Sequence, residues 1–271
     1  MSEMETEPDL EGAQAFGKTI DFGRTANDYS THRAGFPPDF FAALAARGIP
    51  EPGARALDIG TGTGTVARGL AAAGAQVTGL DPSRDLMAEA AALAQVDGLA
   101  IDWVQGAAEA LDFPDASFDL VTAGQCWHWF DRPKAAAEIA RVLRPSGLAV
   151  IAHFDWLPLP GNVVAATEAM IMAANPAWRM AGGTGIYPLW LADLAGAGFA
   201  GIETFSFDVA VSYSHAGWRG RIRASAGVRA SLDADATTAF DAALAAMLAR
   251  DFPKDPLAVP HRVWTVAARN A

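Results

Sequence analysis

Two acidic residues, with a glycine turn between them, are the part of this sequence best suited to chemistry. Residues 58–64 read D-I-G-T-G-T-G, and an apolar run precedes them while a helical pattern follows. Glycine adopts positive φ values and lets a ligand approach the backbone without meeting a Cβ atom. A second apolar run ends at Asp81, 21 residues after Gly60, where a carboxylate can accept hydrogen bonds from a ribose diol. The pattern predicts a strand, a turn, a helix and a strand that together bind an adenosine-like ligand.

Two classes of adenosine ligand fit such a turn, and the acid before the glycines distinguishes them. Residues 62–67 match the dinucleotide pattern G-x-G-x-x-G/A, so an NAD-dependent oxidoreductase stays open. A carboxylate at Asp58 would repel the pyrophosphate of a dinucleotide, but it would attract an ammonium group. The sequence therefore favours a cationic ligand over NAD.

The spacing of Asp58 and the three glycines resembles motif I of the class I S-adenosylmethionine (SAM) methyltransferases. Residues 106–114, 117–121 and 143–147 are also similar to segments of this family, and the resemblance covers about residues 20 to 155. Residues 22–37 resemble the N-terminal segment of the trans-aconitate-type methyltransferases. The small-molecule methyltransferases that the chain resembles include this type, methyltransferase domain type 11 and the ubiquinone-biosynthesis type. The resemblance implies methyl transfer from SAM to an O, N, S or C nucleophile of a small molecule, with S-adenosylhomocysteine as the product.

The same resemblance places the cofactor at the carboxyl ends of the first four strands. Asp58 would orient the amino group of SAM, Asp81 would bind the ribose, and the backbone at Ala108 would pair with the adenine ring. Gln125 would face the methionine part of SAM, and Met87 would pack on the adenine or belong to the core. The full predicted set is Tyr29, Arg33, Asp58, Gly60, Thr61, Gly62, Asp81, Pro82, Met87, Ala107, Ala108, Glu109, Ala123 and Gln125.

Candidates for catalysis lie in the loop at residues 124–130 and at the end of the fifth predicted strand, because such strand ends line the ligand crevice of a doubly wound sheet. The candidate bases are His128 and His153, and a base is needed only if the nucleophile holds a proton near neutral pH. We expect the side chains of His153 and Asp155 to point to opposite faces and so not to form a pair. The candidate substrate contacts are Trp129, Trp156 and Tyr187.

Three other residues have an ordinary structural interpretation. Cys126 has no basic partner in the sequence pattern, so we expect it to pack rather than to act as a nucleophile. Arg219 and Arg223 are four residues apart on one helical face. They could bind a substrate carboxylate, but solvated surface arginines are the favoured interpretation.

The elements that must position these residues alternate between strand and helix, which predicts parallel strands with right-handed crossovers. The predicted fold class is α/β, and the resemblance implies a Rossmann-like doubly wound sheet of seven strands with the last strand antiparallel. We expect residues 1–15 to be a disordered acidic tail and residues 16–271 to be a single domain. Residues 155–188 form a long connection after the fifth strand, and we expect them to be a substrate cap.

Composition restricts the partners. The 271 residues are 51% hydrophobic with a net charge of −11, which disfavours binding to nucleic acid or to an anionic membrane. A single cysteine excludes a cysteine metal cluster, and we expect no metal. Residues 1–11 carry five acids and no base, unlike a targeting peptide, so we expect a cytoplasmic monomer or homodimer acting on a small molecule. A SAM-binding protein of this fold with a different reaction, or with none, stays open.

Overall fold

The structure, a computed structural model, describes residues 35–229 and 231–271. Tyr29, Arg33 and the predicted acidic tail lie outside the described residues. The strands are β1 (Arg55–Ile59), β2 (Gln76–Asp81), β3 (Ile101–Gln105), β4 (Phe118–Gly124), β5 (Leu143–Trp156), β6 (Ala200–Tyr213) and β7 (Leu257–Arg269).

Helices connect most of these strands. They are α1 (Pro38–Ala45), α2 (Thr65–Ala72), α3 (Arg84–Val96), α4 (Arg132–Val142), α5 (Val163–Ala174), α6 (Leu189–Gly196), α7 (His215–Arg223), α8 (Ala226–Arg229) and α9 (Ala234–Asp251), with a 3-10 turn at Trp127–Trp129. In the described part of the chain, no helix combines the length and the apolar character that crossing a membrane requires.

The strands form one seven-stranded sheet in the order β3-β2-β1-β4-β5-β7-β6. Strands β1 to β5 pair in parallel, whereas β7 runs antiparallel between β5 and β6. The predicted α/β fold class is therefore confirmed, including the antiparallel last strand. The strand order reverses between β1 and β4, so the carboxyl ends of these two strands open the crevice in which ligands of doubly wound sheets bind.

Apolar side chains bury both faces of the sheet. Consecutive residues of a strand point to opposite faces, so Ala56 belongs to one apolar layer and Leu57 to the other. The layer that contains Leu57 includes residues of α4 and α6, and the layer that contains Ala56 includes residues of α1 and α2. Each layer excludes water from one face, so the strand ends that border the crevice are held in fixed positions.

A third apolar cluster lies beside the sheet and joins helices from two separate insertions. Helix α5 follows β5, whereas α7 and α9 come between β6 and β7. Val164, Trp218, Ile222 and Leu244 are fully buried where these three helices meet. Residues 155–188 therefore do not pack as a separate unit, because α5 is one part of a helical layer that α7 and α9 complete.

A buried hydrogen bond between α5 and α7 provides a test of this helical layer. Trp218 Nε1 donates to Thr167 Oγ1 at 3.1 Å, and Thr167 Oγ1 donates to the carbonyl of Val163 at 2.7 Å. Trp218→Phe is expected to lower the free energy of unfolding by about 1–3 kcal/mol, because the hydrogen bond and part of the buried volume are lost. Thr167→Val should cost less in the Trp218→Phe background than in the wild type. Urea unfolding measures both costs, and equal costs in the two backgrounds would contradict the contact.

Candidate functional site

The glycine turn joins the end of β1 to the start of α2. Gly60, Gly62 and Gly64 have φ values of 61°, 55° and 76°, in the left-handed region that favours glycine. A Cβ atom on Gly60 would lie 2.8 Å from the side chain of Cys126, whereas one on Gly62 would meet no atom of the described residues within 4 Å. Gly62 therefore borders space that the described part of the chain leaves open, while Gly60 is needed for packing against the loop after β4.

Cys126 fills the space beside Gly60. Its thiol is buried and donates to the carbonyl of Ile59 at 3.2 Å. Burial, together with the charges of Asp58 and Asp81, raises the pKa of this thiol well above its usual value. A neutral buried thiol is a poor nucleophile, in agreement with the predicted packing role.

Asp58 lies beneath the turn. Its side chain accepts hydrogen bonds from the hydroxyls of Thr61 at 2.7 Å and Thr122 at 2.6 Å, which tie β1 to the turn and to β4. Burial raises the pKa of Asp58 to about 6, although the two threonine hydroxyls act in the opposite direction. The residue is only 1% exposed. Its predicted contact with an ammonium group therefore stays a prediction, and its observed role is to position the turn.

Asp81 ends β2 and holds the turn from the other side. Its Oδ2 atom accepts the N–H of Gly62 at 2.9 Å, and its Oδ1 atom accepts the N–H of Ser83 at 2.8 Å. Burial raises the pKa of Asp81, and these two backbone donors lower it. Each carboxylate oxygen can accept a second hydrogen bond. Asp81 can therefore bind a diol while it continues to hold the backbone at Gly62.

The other predicted cofactor residues lie near the ends of β2, β3 and β4. Pro82 and Ala107 are exposed, whereas Met87, Ala108 and Ala123 are buried. Glu109 has a defined structural contact, since its Oε1 atom accepts the N–H of Asp131 at 2.9 Å. This bond links the segment after β3 to the start of α4. Contacts of these residues with an adenosine group stay predictions.

A polar cluster lies at the end of β5. The Nε2 atom of His153 is 3.0 Å from Oδ2 of Asp155, and the hydroxyl of Tyr187 donates to the same carboxylate oxygen. The amide of Gln125 donates to Oδ1 of Asp155 at 3.2 Å, and its Oε1 atom accepts the N–H of Phe154 at 2.6 Å. The expectation that His153 and Asp155 point apart is wrong, because residues i and i+2 of a strand share a face.

Negative charge in this cluster is centred on Asp155. Burial opposes its ionisation, but the His153 imidazole and the Tyr187 hydroxyl hold the pKa of Asp155 well below its usual range. The amide nitrogen of Gln125 also lies 2.9 Å from Nε2 of His153, so the polar contacts of this imidazole are on its Nε2 side, and its other ring nitrogen is Nδ1. That Nδ1 atom is buried and has no hydrogen-bond partner among the described residues. The cluster can therefore present a proton acceptor whose orientation is fixed from behind.

Aromatic rings surround the His153 imidazole, and they divide the predicted substrate residues into two groups. The ring centre of His153 is 4.6 Å from that of Tyr187 and 5.1 Å from that of His128. Trp129 is next to this group, with its ring centre 4.7 Å from that of His128. Trp156 is separate: its Nε1 atom donates to Glu168 at 2.8 Å, beneath the helical layer. The structure thus brings Tyr187, His128 and Trp129 together and leaves Trp156 on the opposite face of β5.

The arginines of α7 differ from each other in their surroundings. Arg219 and Arg223 both pair with Asp241 and are partly exposed, in agreement with the favoured interpretation of surface arginines. The guanidinium of Arg221, for which the sequence pattern gave no prediction, lies 4.7 Å from the ring centre of Trp156. A signal was present, because Trp218 and Ile222 mark the buried face of α7 and position 221 adjoins both.

Comparisons with known proteins match the core of the sheet. The family model described as methyltransferase domain matches residues 57–151. An uncharacterised methyltransferase of Mycobacterium tuberculosis is 35% identical over 130 residues, which are 48% of this chain and 50% of its own length. This chain spans about half the length of the first curated relatives it matches.

Solved structures extend the similarity of fold to most of the chain. YcgJ of Bacillus subtilis superposes with a TM-score of 0.56 at 21% identity, over 84% of this chain and 97% of its own. A phosphoethanolamine N-methyltransferase 2 of Haemonchus contortus, in complex with phosphomonomethylethanolamine and S-adenosylhomocysteine, superposes with a TM-score of 0.55 at 21% identity. That superposition covers 94% of this chain and 60% of the other.

The matched range contains the glycine turn, Asp81 and the loop after β4, whereas α5, α7 and α9 lie outside it. The match favours the SAM interpretation of the turn over the dinucleotide interpretation. Residues 57–151 therefore match a methyltransferase domain, and over this range the chain is similar to class I S-adenosylmethionine methyltransferases.

Proposed function

We propose that this protein transfers a methyl group from SAM to a small organic acceptor whose nucleophilic atom carries a proton. The observation that carries the proposal is the glycine turn, which Asp81 holds and which none of the described residues covers at Gly62. The net charge of −11 suits a cofactor that bears a sulfonium and an ammonium group. A neighbour in fold, the Haemonchus contortus enzyme, has S-adenosylhomocysteine in its structure.

The residues that would hold SAM follow from the geometry of the turn. Asp81 would accept the ribose hydroxyls, and the backbone at Gly62 would approach the cofactor closely. Asp58 would act through Thr61 and Thr122, whose hydroxyls it binds and whose positions fix the turn. SAM supplies an electrophilic methyl group, so most of the rate gain comes from alignment of the acceptor and exclusion of water.

His153 is the base in this proposal. Asp155 holds the Nε2 side of the imidazole, and Tyr187 and Gln125 hold Asp155. The Nδ1 atom is then oriented to take the proton of the acceptor as the carbon–nucleophile bond forms. His128 lies edge-on to His153 with ring centres 5.1 Å apart, so it positions that ring and stays the second candidate.

Asp81→Ala is expected to weaken SAM binding about ten- to a hundredfold, because a charged hydrogen bond of about 1.5–3 kcal/mol is lost. Isothermal titration calorimetry with S-adenosylhomocysteine measures the effect. Asp102→Ala is the matched control, because Asp102 is an exposed acid on the neighbouring strand β3. An unchanged affinity in folded Asp81→Ala would refute the ribose assignment.

Catalysis itself is tested by turnover. Purified protein is incubated with SAM and a library of small-molecule acceptors, and S-adenosylhomocysteine is measured by mass spectrometry. We expect formation of S-adenosylhomocysteine that depends on the acceptor. Tight cofactor binding without turnover on any acceptor would instead support a SAM-binding protein of this fold with another reaction, or with none.

The cytoplasmic location, the monomeric or homodimeric state and the lack of a nucleic-acid partner stay predictions from the sequence.

A further inference from the structure

Residues 182–187, which we call the crossing segment, connect the helical layer with the polar cluster at the end of β5. The N–H of Gly182 donates to Oε2 of Glu168, a residue of α5, at 2.8 Å. At the far end of the segment, the hydroxyl of Tyr187 donates to Asp155. The crossing segment therefore has one end on the helical layer and the other end on the carboxylate that contacts the proposed base.

The middle of the crossing segment is held against β5 and β7. The carbonyl of Thr184 accepts from Nη1 of Arg262 at 3.0 Å, and Arg262 lies opposite Asp155 in the pairing of these two strands. Gly185 is buried and has a φ of 68°. A Cβ atom there would lie 3.1 Å from Cβ of Arg262 and 3.3 Å from Cδ2 of Leu157, so glycine is required by both the backbone angle and the close approach. The path of the segment past the end of β5 is therefore fixed.

Glu168 anchors the start of this path, and its contacts require a carboxylate. The residue is 3% exposed, and its Oε1 atom accepts from Trp156 Nε1 at 2.8 Å while Oε2 accepts from Gly182. Burial raises the pKa of Glu168, whereas these two donors lower it. Both contacts come from N–H groups, so both oxygens must act as acceptors. A glutamine at this position would turn an NH2 group towards one of the donors and would lose that contact.

Stacking alone does not set the position of the Tyr187 hydroxyl. The ring of Tyr187 stacks on that of Trp190, with ring centres 4.3 Å apart and planes inclined by 16°. Such a contact fixes the plane of the ring, but two stacked rings can slide past each other in an offset arrangement. The distance from the hydroxyl to Asp155 therefore also depends on the backbone that carries Tyr187, which is the crossing segment.

We propose that Glu168 is a positioning residue, which acts on His153 through the crossing segment and Tyr187. It fixes the segment, the segment places the Tyr187 hydroxyl on Asp155, and Asp155 orients the imidazole. The inference rests on the proposed methyl transfer for its effect on rate, whereas the contacts themselves can be tested without turnover. Loss of the anchor would let the Tyr187 hydroxyl leave Asp155, and the alignment of the base with the acceptor would be lost in part.

A double-mutant cycle between Glu168 and Tyr187 tests this assignment. The five histidines of the free protein are labelled and followed by carbon–proton NMR, and the His153 signal is identified by its loss in His153→Gln. Glu168→Gln and Tyr187→Phe should each move the His153 signal, and the double variant should match Tyr187→Phe alone. On an acceptor from the turnover screen, kcat should fall about tenfold in each single variant and no further in the double variant.

Gly185→Ala displaces the same segment without a change at Glu168, so the assignment stays testable if Glu168→Gln does not fold. Gly161→Ala is its matched control. Gly161 has a φ of 79°, in the same left-handed region as Gly185, but a Cβ atom there would meet no described atom within 4 Å. Backbone strain is therefore common to the two alanine variants, whereas only Gly185→Ala should move the His153 signal.

Asp241→Asn is the control for the helical layer, because it removes the carboxylate that pairs with Arg219 and Arg223 of α7 and leaves the crossing segment unchanged. It should keep the His153 signal in place. The inference is overturned if folded Glu168→Gln keeps that signal in place, or if the effects on the signal and on kcat add in the double variant. If the wild type yields no S-adenosylhomocysteine with any acceptor, the proposed function fails, whereas the NMR cycle still decides the role of Glu168.

Discussion

Gly62→Val is expected to abolish measurable SAM binding while the protein stays folded. A Cβ atom at position 62 would meet none of the described residues within 4 Å, so the branches of valine would enter only the open space that we assign to the cofactor. Valine at a φ of 55° also costs about 1–2 kcal/mol in backbone strain. That strain lowers stability without removing the fold. Calorimetry with S-adenosylhomocysteine should show an affinity loss of more than about a hundredfold, which corresponds to about 2.7 kcal/mol.

Gly98→Val separates backbone strain from lost ligand space. Gly98 has a φ of 69°, and a Cβ atom there would likewise meet no described atom within 4 Å. It lies between α3 and the start of β3, so it is at the amino ends of the strands, away from the crevice. The two valine variants should lose similar stability in urea unfolding, and only Gly62→Val should lose the cofactor. If Gly62→Val binds S-adenosylhomocysteine within about tenfold of Gly98→Val, the turn does not approach the cofactor.

His153→Gln is expected to lower kcat by about a hundredfold to ten thousandfold on an acceptor identified by the turnover screen, because the base is lost. Its affinity for S-adenosylhomocysteine should be unchanged. Asp155→Asn should also lower kcat, because the amide cannot hold the imidazole as an ionised carboxylate does. Single-turnover rates, with cofactor affinity measured in parallel, check both variants.

His128→Gln distinguishes the two candidate histidines. His153 contacts Asp155 directly, whereas His128 contacts the ring of His153 edge-on. We therefore expect a smaller loss of kcat for His128→Gln than for His153→Gln. The reverse order would transfer the role of base to His128. Equal rates for His153→Gln and the wild type would mean that the acceptor needs no base at this position.

The glycine turn and Asp81 could be predicted because their signals are local in sequence. A strand, a turn and a helix follow one another within residues 55–72, and the next strand begins four residues later at Gln76. The parallel pairing of β1 to β5 followed from the repeated strand–helix units, whereas the seven strands and the antiparallel last strand were implied by the resemblance. The spacing also suggested that Asp58 faces the ligand, but its two threonine partners, which fix it beneath the turn, were not visible in the pattern.

The polar cluster could be predicted only in part. His153 and Asp155 are two residues apart on one strand, so correct use of strand alternation would have paired them. Tyr187 and Asp155 are 32 residues apart in sequence, and no local sequence pattern predicts their contact. Arg221 was missed for a similar reason. Its environment depends on Trp156, which comes from β5, far along the chain from α7.

The helical layer exceeds the predicted cap because its members are distant in sequence. Helix α5 follows β5 and lies within the predicted segment 155–188, but α7 and α9 follow β6. Each helix has a recognisable apolar pattern. Such a pattern predicts that one face of the helix is buried, but it does not identify the element that packs against that face. Fully buried Trp218 and Leu244 show that the partners are the helices themselves.

Titration of the wild-type protein with SAM, S-adenosylhomocysteine and NAD, each by isothermal calorimetry, tests the central claim most directly. The geometry of the turn between Asp58 and Asp81 predicts one bound SAM or S-adenosylhomocysteine per chain, with no heat of binding for NAD. Binding of NAD in preference to SAM, or no binding of SAM by the folded protein, would contradict the assignment of this turn to SAM.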